Sequence, residues 1–71
     1  MDWLDVDDIL FDGTKEEIKK IKCPDCGGTL EYSYFEGRFE ERCQKCGAIE
    51  IQHGGKIPNC VLFFGPKNTL N

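Results

Sequence analysis

Cys23-Pro24-Asp25-Cys26-Gly27 and Cys43-Gln44-Lys45-Cys46-Gly47 are two matching knuckles, with sixteen residues between Cys26 and Cys43. Two Cys-x-x-Cys pairs spaced by ~15–20 residues have the pattern of a structural zinc site. Zn²⁺ takes four thiolates tetrahedrally at ~2.3 Å, and two short turns facing each other deliver them. The spacing therefore names Cys23, Cys26, Cys43 and Cys46 as ligands of one Zn²⁺. Gly27 and Gly47 follow the second cysteine of each pair, where a residue free to take positive φ lets backbone N–H groups aim at sulfur. Pro24 pre-sets φ for the first of these turns.

The residues between and after the knuckles have the period of strands. Along 29–35, Leu30, Tyr32 and Tyr34 alternate with Glu31 and Ser33. Glu36-Gly37 suits a tight hairpin turn, and Arg38 to Arg42 returns as the partner strand. Ala48 to Gln52 alternates again as a third strand, which His53-Gly54-Gly55 ends. The expected fold is a small metal-stabilised domain with a three-stranded antiparallel sheet over 21–52. It is preceded by an acidic amphipathic segment, 1–20, and followed by an apolar extension and tail, 53–71.

In the first segment Trp3, Val6 and Leu10 share a face at helical spacing, which suits a short helix stopped at Asp12-Gly13. Thr14-Lys15-Glu16-Glu17 then has the form of a capping box. Ile18 to Lys22 reads equally as the end of a second helix or as a strand entering Cys23. Cys60-Val61-Leu62-Phe63-Phe64 is a continuous apolar run that periodicity leaves open between strand and helix. The tail from Lys67 to Asn71 is expected to fray.

The order Cys-Pro-Asp-Cys-Gly, hairpin, Cys-Gln-Lys-Cys-Gly, strand resembles the zinc ribbon superfamily over residues 21–52. That resemblance implies two knuckles clasping one zinc beside a small antiparallel sheet. Small bacterial zinc-ribbon proteins of unassigned function are similar, with a Pro-Asn and a Phe-Gly near the C-terminus, as in Pro58-Asn59 and Phe64-Gly65. The superfamily serves transcription, translation, nucleases and scaffolds, so the resemblance carries no single function.

Composition narrows the choice. A chain of 71 residues buries only ~60% of its unfolded surface, and domains of that size generally need a staple. Five cysteines is an odd number, and Met1 is followed by Asp2, Asp5, Asp7 and Asp8 rather than by a basic start and an apolar run. No stretch approaches the ~18 apolar residues of a membrane span. A reducing cytoplasm is the expected location, where such cysteines hold metal rather than form disulfides. The formal charge is −4, and four thiolates with one Zn²⁺ would take it to about −6. That balance disfavours nucleic acid, although Lys15, Lys19, Lys20 and Lys22 cluster before the first knuckle.

Several residues have two readings. Cys60 is a small buried hydrophobe or a fifth thiol, and His53 is a loop histidine or a substitute ligand. Tyr32, Tyr34, Phe35 and Phe39 belong to the core and its cross-strand pairs, or stack on unpaired bases. Residues 1–13 cover the open sheet face or dock into a partner's groove. Glu31, Glu36, Glu40 and Glu41 are expected on the solvated side of the hairpin.

A closed four-cysteine shell leaves no position for water, and no nucleophile and base stand together, so the chain is expected to be a non-enzyme. The expected function is a structural zinc-binding module, an interaction or scaffold domain for a protein partner. The alternatives are rubredoxin-like electron transfer by iron in the same thiolates and a nucleic-acid-binding zinc ribbon.

Overall fold

In a computed structural model, residues 2–70 are described; Met1 and Asn71 lie outside them. The elements in chain order are α1 (Trp3–Asp12), α2 (Lys15–Lys19), β1 (Leu30–Phe35), β2 (Arg38–Cys43), β3 (Ile49–His53), α3 (Asn59–Phe64) and β4 (Lys67–Leu70). The sheet has four antiparallel strands in the order β3-β2-β1-β4. This corrects the three-stranded expectation. Lys67–Leu70 does not fray but pairs with β1, because the outer N–H and C=O groups of β1 need a partner; Tyr34 N–H already reaches Pro66 O at 2.7 Å.

Local chemistry sets the helix ends. Asp2 caps α1 by accepting from Asp5 N–H, and the Asp5 carboxylate accepts in return from Asp2 N–H. Thr14 and Glu17 form the same reciprocal pair at α2, so Ile18 closes a helix rather than starting a strand. The apolar run resolves as α3, stopped by Gly65 at φ 92°. The single Tyr32 hydroxyl proton is shared between two carbonyls there, Cys60 O at 2.9 Å and Gly65 O at 2.7 Å, which ties α3 beneath β1. At the hairpin both turn residues have positive φ, Glu36 at 48° and Gly37 at 80°, the twist that matches two antiparallel strands.

The helices cover one face of the sheet. Val6 and Leu10 of α1, Ile18 of α2 and Cys60 of α3 are buried with Leu30, Tyr32, Phe39, Cys43 and Leu70 from the strands. Phe11 meets Phe39 edge to face at 5.3 Å. The helix α1 therefore packs on the sheet, which is the covering reading of the 1–13 segment for the residues described. Each fully buried aliphatic side chain contributes ~1.5–3 kcal/mol, so α1 is part of the core rather than an appendage.

Glu41 departs from the expected solvated side. Strand parity turns Phe39, Glu41 and Cys43 inward, while Glu40 and Arg42 face out, where Arg42 bridges Glu40 and Glu31. Glu41 is fully buried, and among the described residues neither carboxyl oxygen has a hydrogen-bond partner; Asp7 Oδ1 is likewise unpaired. Burial pushes the Glu41 carboxyl up to about 10, with Asp7 and Glu50 adding to the rise. At neutral pH it is held protonated, and that proton can bond Asp7. Asp7 Oδ2 is occupied separately by Gln52 Nε2 at 2.6 Å.

Candidate metal centre

The hairpin register brings the knuckles together. Leu30 lies opposite Cys43, and Gln44 N–H donates to Thr29 O at 2.9 Å, so both turns sit at one end of the sheet. Each knuckle closes with the same two backbone bonds. In the first, Gly27 N–H donates to Cys23 O and Cys23 N–H to Gly28 O; in the second, Gly47 N–H donates to Cys43 O and Cys43 N–H to Ala48 O. Gly27 at φ 76° and Gly47 at φ 78° take the left-handed turn that this geometry requires.

The four sulfurs all lie within 4.8 Å of one another, with Cys23 Sγ to Cys46 Sγ at 3.7 Å and Cys26 Sγ to Cys43 Sγ at 3.4 Å. A tetrahedron with arms of ~2.3 Å has edges of ~3.8 Å, so the donor set fits a Zn-sized ion held by four thiolates. Cys23 and Cys43 are buried, Cys26 is half-buried and Cys46 is exposed.

Backbone amides prepare the site for negative charge. Cys43 Sγ accepts from Lys45 N–H at 3.3 Å and Cys46 N–H at 3.4 Å, and Cys26 Sγ from Gly28 N–H at 3.4 Å. The Cys46 amide, helped by that of Lys45, holds the Cys43 thiol down to about 6 against the effect of burial. Its neighbours go the other way. Gly28 N–H lowers Cys26, but Cys43 and burial outweigh it; Ala48 N–H lowers Cys46, but Cys26 and Cys43 push it up to about 12. The arrangement favours a thiolate at Cys43 and resists further ionisation at Cys26 and Cys46. A divalent cation removes that resistance, because its charge offsets the accumulating negative charge.

Gly28 has a role that the spacing did not single out. A Cβ there would meet Lys45 Cβ at 2.6 Å, Cys43 Sγ at 3.1 Å and Cys26 Sγ at 3.2 Å. The two knuckles approach this closely only because Gly28 has no side chain. The doubled glycine after Cys26 was the available signal.

The remaining sequence candidates lie elsewhere. His53 pairs with Arg38, at the opposite end of β2 from Cys43 and about 17 Å away along the strand, so it does not join the sulfurs. Cys60 is buried in α3 outside the four-sulfur group, and burial with nearby Glu41 pushes its thiol up to about 12. Of the hairpin aromatics, Tyr32 and Phe39 are buried, Tyr34 is half-buried and Phe35 is exposed. Lys15 and Lys19 lie over the rings of Phe63 and Phe64, each 5.9 Å from the ring centre. Among the described residues, no helix is long and apolar enough to cross a membrane.

No protein-family model, no curated protein and no solved structure matches this chain.

Proposed function

We propose that Cys23, Cys26, Cys43 and Cys46 hold one structural Zn²⁺, and that the domain it stabilises serves as a non-catalytic interaction or scaffold module in the cytoplasm. The observation that carries this reading is the four-sulfur cluster itself, with amide N–H groups already aimed at it. Four thiolates complete a tetrahedral shell and leave no site for a reacting water. Zinc in small modules supplies ~10–16 kcal/mol of apparent binding free energy, which matches or exceeds the ~5–15 kcal/mol stability of a whole domain.

The interaction role is supported by apolar side chains left on the surface, including Leu4, Phe35, Ile49, Ile51, Leu62 and Phe63. Nucleic-acid binding draws less support, since most hairpin aromatics are packed inward and Lys15 and Lys19 lie over rings of α3.

The test is far-UV circular dichroism and metal content of reduced protein, before and after chelation at pH 7. Loss of one zinc per chain together with the sheet signal is expected. An unchanged spectrum on complete metal removal would overturn the structural role. A red, redox-active sample from iron-replete cells would replace it with electron transfer.

A further inference from the structure

The two edges of the sheet are not alike. On β4 the open positions are only Lys67 and Thr69, because Pro66, Asn68 and Leu70 turn their backbone groups toward β1. A short edge that opens on Pro66 and Lys67 is protected against further pairing. β3 is less guarded: Glu50, turned to the helix-covered face, is its one charged residue. It spans five residues, Ile49 to His53, without proline, lysine or a break in register.

The pairing pattern fixes which β3 groups are free. Cys43 N–H donates to Ala48 O and Gly54 N–H to Gly37 O, so 48, 50, 52 and 54 direct their backbone groups toward β2. Ile49, Ile51 and His53 therefore direct their N–H and C=O groups out of the sheet. The side chains of Ile49 and Ile51 stand on the helix-free face, where they are 50% and 41% exposed.

We propose that β3 pairs antiparallel with β3 of a second copy of this chain, about a two-fold axis through Ile51, joining the two sheets into one of eight strands. In that register Ile51 faces Ile51 and Ile49 faces His53 of the other copy, and the three open residues of each strand exchange six backbone hydrogen bonds. Glu50 falls opposite Gln52. Moving the axis to Glu50 places two carboxylates directly opposite each other, and moving it to Gln52 carries Ile49 beyond the strand to Gly55. Avoiding facing carboxylates while keeping all six backbone bonds sets the register, and Ile51 on Ile51 makes this edge self-matching. The inference names a first partner for the interaction reading, but it rests on the sheet and not on the identity of the metal.

An interface of one strand edge and two isoleucines is small, so the dimer is weak and reversible. The formal charge of −4 on each copy also opposes association, and salt that screens it tightens the dimer.

The experiment is sedimentation equilibrium of the metal-loaded chain from about 10 μM to about 1 mM, a range suited to weak interfaces. Metal content is measured on the same samples, which separates a failed interface from an unfolded domain. The mean mass should rise from 8.1 kDa toward twice that value. Ile51→Lys, which sets two ammonium groups opposite each other, should raise Kd at least tenfold. Ile57→Lys, at a residue 46% exposed beyond the strand, should leave Kd unchanged. Mixed-isotope NMR should give a contact between Hα of Glu50 and Hα of Gln52 on the other copy. A monomer throughout this range, a dimer indifferent to Ile51→Lys, or a dimer without that contact would overturn the proposal.

Discussion

The indole N–H of Trp3 donates to Oδ2 of Asp25 at 3.3 Å, joining the first turn of α1 to one of the two residues between Cys23 and Cys26. The helix that covers the sheet also touches the knuckle, so packing and metal binding are coupled through one side chain. Trp3 is the only tryptophan, and its emission reports on that knuckle. Chelating the metal should shift the emission to longer wavelength, as the knuckle unwinds and the ring meets water. Trp3→Phe removes the hydrogen bond and should cost no more than about 1 kcal/mol in chemical denaturation, because the pair is exposed. An emission maximum unmoved by metal removal would break the coupling.

Gly28→Ala should weaken metal binding. The new methyl group meets Lys45 Cβ and two ligand sulfurs, which forces the knuckles apart. Crowding of this kind costs ~1–3 kcal/mol, or roughly 5- to 150-fold in metal affinity. Competition with a chromophoric chelator measures it. Affinity equal to wild type would mean that the close approach is unimportant.

Glu41→Gln should stabilise the folded state at neutral pH and above. The folded carboxyl titrates at about 10, far above its ordinary unfolded value near 4.3, so the folded chain holds a proton that the unfolded chain releases. That difference lowers wild-type stability as pH rises from about 5 toward 10, whereas glutamine keeps a donor for Asp7 without titrating. Denaturant unfolding at pH 6 and pH 8 should show an advantage for the variant that grows with pH and exceeds about 1 kcal/mol at pH 8. The metal contribution is common to both proteins and cancels. A wild type more stable than the variant at pH 8 would show that the carboxyl is ionised and partnered.

Features set by neighbours in sequence were legible. The knuckle turns, the Thr14–Glu17 capping box, the stop at Asp12-Gly13 and the Glu36-Gly37 hairpin depend on a few residues each, and the structure contains all of them. Features set by distant groups were not. Lys67-Asn68-Thr69-Leu70 has little strand character of its own and becomes β4 because β1 offers it an open edge. Cys60 to Phe64 suits either state by period, and α3 is held in place by Tyr32, which is 28 residues away from Cys60. Glu41 lies between. Its inward direction follows from the parity of Phe39 and Cys43, but a run of charged residues from Glu40 to Arg42 conceals it. Gly28 is tertiary in origin, since the atom that it must avoid belongs to Lys45 across the site.

The most direct measurement is zinc-edge X-ray absorption on freshly purified, reduced protein. One ion per chain with four sulfur scatterers at ~2.3 Å is the expected result. Nitrogen or oxygen in the shell, fewer than four sulfurs, or protein that carries no metal while fully folded would contradict the account.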